Sequence, residues 1–125
     1  MIRGIGVDMA EISRFSASYE RFGMRFAERI LSESELRDFA RTRNPGRFLA
    51  MRFAAKEAVL KSLGVGLGST PLRAIEVVRA DSGEPSIVLH EPAAALAAQR
   101  GVVRFHVSLT HTASLAAAVV VASGD

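Results

Sequence analysis

Pro45-Gly46-Arg47-Phe48-Leu49-Ala50-Met51-Arg52-Phe53-Ala54-Ala55-Lys56-Glu57-Ala58-Val59-Leu60-Lys61-Ser62-Leu63 reads as a single helix. Proline suits its first turn, where a backbone N–H has no partner to lose. Phe48, Leu49, Phe53, Val59 and Leu60 supply the apolar spacing. Gly64, Gly66 and Gly68 then end it. That glycine run is unlike a phosphate loop, because it has no lysine before Ser69-Thr70 and follows a helix rather than opening one. A helix C-cap and turn is the better reading.

Working outward, Ile2 to Val7 is an apolar run broken by Gly4 and Gly6, read as a strand ending at Asp8. Glu11 to Phe22 carries Ile12, Phe15 and Tyr19 at helical spacing, with Gly23 as the stop. Ser32 followed by Glu35 is a capping box, opening a helix with Leu36, Phe39 and Ala40 on its apolar side. Beyond the long helix, 75–78 and 86–89 read as strands joined by the turn at 81–85. Residues 92–99 form an alanine-rich helix stopped by Gly101. Residues 102–109 and 116–122 form closing strands around a turn near 110–114. Helices and strands mix without strict alternation, which predicts an α+β fold in one domain over 1–125.

Composition narrows the function. Hydrophobic residues make up 49% and charged residues 23% of 125 residues, as in a globular domain. The absence of cysteine excludes disulfides and thiolate metal sites. With no basic leader and no apolar run near the roughly 20 residues that span a bilayer, a cytoplasmic protein without membrane association is expected. Of the 16 Lys and Arg, 12 lie in residues 1–61, which points to a partner bearing phosphates or carboxylates. A single tyrosine and no tryptophan leave little for stacking nucleic-acid bases.

Several residues can carry chemistry. Asp8, between strand and helix, reads on its own as a helix cap. Glu57 and Lys61, four apart, share a helix face and can present a carboxylate to Mg²⁺ and an ammonium to phosphate; an ordinary surface pair has the same spacing. Arg52, nine residues before Lys61, falls on the opposite side of the helix. The two can grip one phosphate only if a site lies between subunits; otherwise Arg52 covers apolar surface. Arg14, Arg21 and Arg25 form one stripe for an acidic partner if the helix continues through Gly23. Arg37, Arg41, Arg43 and Arg47 form a basic stretch before the long helix. His90 and His106 lie in strand-like segments and read as structural, whereas His111, in the expected turn, can act. Neither a Ser-His-Asp set nor a zinc site is visible.

Gly4-Ile5-Gly6-Val7-Asp8 with Glu11-Ile12 and Arg14, Arg52-Phe53-Ala54-Ala55-Lys56-Glu57-Ala58 with Lys61, Gly83-Glu84-Pro85, and Ser108-Leu109-Thr110-His111 together resemble the holo-acyl-carrier-protein synthase family of phosphopantetheinyl transferases. The resemblance covers essentially the whole chain. It implies a small, mostly antiparallel sheet wrapped by a long central helix and shorter helices. Further, it implies transfer of 4′-phosphopantetheine from coenzyme A to a serine of apo acyl carrier protein, as in fatty acid biosynthesis, releasing adenosine 3′,5′-bisphosphate. By the same resemblance, Asp8 and Glu57 hold Mg²⁺ and Lys61 lies beside the pyrophosphate, so that these three carry catalysis. Arg52, Pro85, Thr110 and His111 surround the nucleotide, and Arg14, Arg21 and Arg25 receive the carrier protein. Compact members are homotrimers with active sites between subunits. The serine proton passes to Glu57, Lys61 or a water on the metal. Two other readings stay open: a different Mg²⁺-dependent phosphate-ester hydrolase, and a basic RNA-binding module.

Overall fold

The structure is a computed structural model describing all residues 1–125. Strand β1 (Ile2–Glu11) leads into helices α1 (Ile12–Phe22), α2 (Met24–Ile30), α3 (Glu33–Phe39) and the long α4 (Pro45–Ser62). A short 3₁₀ turn (Leu72–Ala74) precedes β2 (Ile75–Arg79) and β3 (Pro85–Leu89); α5 (Ala93–Gln99), β4 (Arg104–His111) and β5 (Leu115–Ser123) complete the chain. The α+β expectation holds, but the sheet is in two pieces. One is three-stranded in the order β1-β5-β4, the other is the β2–β3 hairpin, and every pairing is antiparallel. No helix is long and apolar enough to cross a membrane.

Helix α4 runs through the centre. Leu49, Ala50, Ala54, Ala55, Ala58, Val59 and Leu60 are buried around its circumference, the mark of a helix enclosed on all sides. Small residues let it lie against the sheet. A Cβ on Gly4 would stand 1.9 Å from the Ser62 carbonyl oxygen, and one on Gly6 the same distance from that of Ala58. Ala116, Ala118, Val120 and Ala122 of β5 line the same inner face. The helix starts with Pro45 in its first turn behind an Asn44 cap. It ends in a Schellman motif: Gly64 has φ 74, Gly64 N–H donates to the Lys61 carbonyl, and Val65 N–H to that of Leu60.

One boundary differs from expectation. β1 continues through Asp8 to Glu11, because β5 extends its ladder across Asp8↔Ala118 and on to Glu11↔Leu115. Asp8 is therefore no helix cap; Glu11 occupies the cap position without a side-chain bond. Gly23, at φ 64, ends α1 as expected and starts a separate α2, so Arg25 leaves the helix that carries Arg14 and Arg21. The single stripe of three arginines does not form.

Candidate active site

Side chains alternate across a strand, so Asp8 leaves β1 on the same face as Gly4, Gly6 and Ala10, toward α4. Lys61, in the last turn of α4, meets it: Nζ donates to Asp8 Oδ1 and to the Val7 carbonyl, both at 3.1 Å. The expected alternative, a plain Glu57–Lys61 surface pair, is not the arrangement found. Glu57 sits one turn before Lys61, half-buried, with its Oε2 enclosed and unpartnered. Burial, and then the charge of Asp8, push the Glu57 carboxyl above its usual range, while Lys61 opposes them. Two mutually repelling carboxylates with an unclaimed buried oxygen fit a divalent cation. No larger cluster of His, Cys, Asp and Glu forms here, so such a cation would complete its shell with water and substrate oxygens, as Mg²⁺ commonly does.

Arg52 lies elsewhere. It is buried, with its guanidinium 4.4 Å from the centre of the Phe48 ring and Nε 3.8 Å from Glu35 Oε2. It is therefore no surface-covering side chain. Burial lowers its pKa, against the pull of Glu35. Arg52 lines a cleft of about 540 Å³ with Asp38, Thr42, Arg47, Arg79, Leu109 and His111. The cleft joins Arg52 to His111, and His111 is the last residue of β4 rather than part of a turn. Thr110 lies beside it in β4 and is exposed. Pro85 opens β3 opposite Arg79 and does not line the cleft. Arg79 was not singled out in the sequence; its Nη1 is held by the Gly83 carbonyl at 2.8 Å, a contact no spacing rule reveals.

A second cleft, about 650 Å³, opens between β1, α1, α2 and α4. Phe15, Phe26, Phe53, Leu72 and Leu115 line it, with Arg14 and Arg29 among them. Arg21 is exposed on α1 with its guanidinium over Phe22, and Arg25 is exposed on α2; neither lines the cleft. His90 pairs with Glu76 at 2.7 Å, in keeping with a structural role, and His106 projects from β4. Burial pushes the Glu76 carboxyl up, but hydrogen bonds from His90, Ser34 and Ser32 bring it below its ordinary value.

The fold is that of a known class: the model of the 4′-phosphopantetheinyl transferase superfamily matches residues 4–120, and the chain belongs to that family. Among its relatives, the holo-[acyl-carrier-protein] synthase of Nitratidesulfovibrio vulgaris is 50% identical over 122 residues, covering 97% of this chain and 98% of the relative. That of Clavibacter michiganensis is 45% identical over 126 residues, covering 100% and 98%. The crystal structure of the Neisseria meningitidis holo-[acyl-carrier-protein] synthase superposes with a TM-score of 0.91 at 34% identity, covering 98% of this chain and 99% of that one. The Helicobacter pylori enzyme, solved in complex with coenzyme A, gives 0.83 at 32% identity, covering 95% and 99%.

Proposed function

We infer that this protein transfers 4′-phosphopantetheine from coenzyme A to a serine of apo acyl carrier protein, as its relatives' names describe for them. The observation that carries the reading is the pairing of Asp8 and Glu57 beside Lys61, inside a chain whose whole length aligns with those relatives. The serine oxygen attacks the phosphorus that bears the pantetheine arm; a new P–O bond forms, the pyrophosphate bridge breaks, and adenosine 3′,5′-bisphosphate leaves. Asp8 and Glu57 would hold Mg²⁺, and the bound ion would supply positive charge against that growing on the leaving oxygens. Lys61 contributes a mobile cation at the same place, its side chain being half-exposed. The serine proton passes to Glu57, Lys61 or a water on the metal.

The Arg52–His111 cleft is assigned to the nucleotide, because several arginines and a histidine around one opening suit phosphate oxygens. Pro85 and Thr110 flank that assignment. Arg14 and Arg21, with Arg29 at the aromatic cleft, are assigned to the acidic face of the carrier; Arg25 joins them only as a neighbour on α2. Arg52 and Lys61 sit on different sides of α4, so one coenzyme A spanning both needs two chains. An uncovered apolar strip supports such an assembly: Ile5, Val7 and Met9 are each about 60% exposed, beside Val119 and Val121. A homotrimer with sites between subunits, in the cytoplasm, completes the proposal.

The reading is tested by incubating the protein with coenzyme A, Mg²⁺ and apo carrier protein, then weighing the carrier. A gain of one phosphopantetheine, abolished by chelation, is expected. A carrier of unchanged mass, with phosphate released from coenzyme A alone, would instead establish the hydrolase.

A further inference from the structure

Glu35 reads in the sequence as half of a capping box, and it fills that role: Oε1 accepts from Ser32 N–H at 2.9 Å, while Ser32 Oγ accepts from Glu35 N–H. A glutamine would cap equally well. The carboxylate is nevertheless one of the most buried groups in the molecule, and its other contacts call for charge. Lys56, fully enclosed in α4, donates from Nζ to Glu35 Oε1 at 2.6 Å and to the Ile30 carbonyl. Oε2 accepts from Val77 N–H at 3.0 Å and faces Arg52 Nε at 3.8 Å. One carboxylate thus serves two buried cations, Lys56 by a hydrogen bond and Arg52 only at a distance.

Arg52 is the less well served of the two. Lys56 is fully engaged, whereas the Arg52 guanidinium stands beyond hydrogen-bond range of Glu35, and its Nη1 has no acceptor at all. Its other near charges are mixed: Arg79 repels it, while Asp38 and Glu76 attract it less than Glu35 does. An anion entering the cleft that Arg52 lines with Arg79 and Asp38 would supply the acceptor that Nη1 lacks. We propose that Glu35 is a positioning residue for nucleotide binding, its carboxylate fixed by three hydrogen bonds so that it holds the Arg52 guanidinium over Phe48 and presents it to a phosphate. Glu35 itself does not line that cleft. It acts from behind, as an anion of fixed position that keeps Arg52 from turning away from its cationic neighbours. The proposal rests on the assignment of the Arg52 cleft to the nucleotide.

The test is calorimetric binding of adenosine 3′,5′-bisphosphate to four proteins, with Mn²⁺ binding in the same samples as a control for the Asp8–Glu57 site. Arg52→Gln should weaken the nucleotide. Glu35→Gln with Lys56→Met removes the positioning charge without leaving an unpaired buried lysine, and should weaken the nucleotide roughly tenfold or more, the usual scale for groups that orient a ligand-binding residue. Lys56→Met alone leaves Arg52 its partner and should bind close to wild type. Mn²⁺ affinity should be unchanged throughout. If Arg52→Gln binds the nucleotide like wild type, the nucleotide assignment itself fails and the proposal with it. If Arg52→Gln weakens binding and the double variant does not, the assignment stands and the role of Glu35 is overturned. Loss of nucleotide and Mn²⁺ together in the double variant overturns it too, reducing Glu35 to a structural residue.

Discussion

At the scale of single residues, half-burial and the neighbouring Asp8 favour the protonated form of Glu57. A carboxyl whose folded pKa is raised binds more protons than it does in the unfolded chain, so it costs stability as pH rises through its folded value. Glu57→Gln should therefore make the metal-free protein more heat-stable at pH 7, with Asp8 no longer facing a second charge. The same variant should lose the rise in melting temperature that Mg²⁺ gives the wild type, a rise worth about 2.7 kcal/mol at a hundredfold excess over Kd. A thermal scan with and without Mg²⁺ reads both effects. Asp8→Ala should abolish transfer while leaving the circular dichroism spectrum intact; full activity at low Mg²⁺ would remove Asp8 from the metal. These residues were legible because Glu57 and Lys61 are fixed by helical spacing and Asp8 sits in a distinctive Gly-Ile-Gly-Val-Asp run. Glu35 was only half legible, since local sequence shows its capping bond but not the lysine 21 residues away that needs its charge.

At the scale of elements, the site depends on how closely α4 lies against β1. Gly4 and Gly6 permit carbonyl oxygens of α4 to occupy the space of a side chain, and this brings Lys61 within reach of Asp8. Gly6→Ala should push the helix away and destabilise the protein by about 1–3 kcal/mol, the usual cost of overpacking. Denaturant unfolding measures that loss, and Mn²⁺ affinity should fall with it. Helix ends were readable because their signals are local: the Ser32–Glu35 box, Pro45 and Gly64 each act within a turn. The extension of β1 past Asp8 was not, because it is imposed by pairing with residues more than 100 positions away in β5. Gly23 was ambiguous for another reason. A lone glycine can sit inside a helix at modest cost, and only its positive φ decided for a break.

At the scale of the whole molecule, one chain places the Asp8–Glu57 pair and the Arg52 cleft on different sides of its central helix, beside an uncovered apolar sheet face. Val7→Glu on that face should yield monomers by light scattering and lower transfer activity with them, since a buried charge is costly in an apolar interface. The strand alternation that exposes Ile5, Val7 and Met9 follows from the pleat. Which face stays open depends on where α4 lies, and the sequence does not state it. The most direct measurement is subunit mixing. Asp8→Ala and Arg52→Gln proteins, each inactive alone, are unfolded together, refolded at equal amounts, and assayed by the mass gain of apo carrier protein. If every site joins the Asp8 half of one subunit to the Arg52 half of its neighbour, about a quarter of the sites regain both intact halves, and activity returns to that level. A mixture as inactive as its components would contradict a site shared between chains.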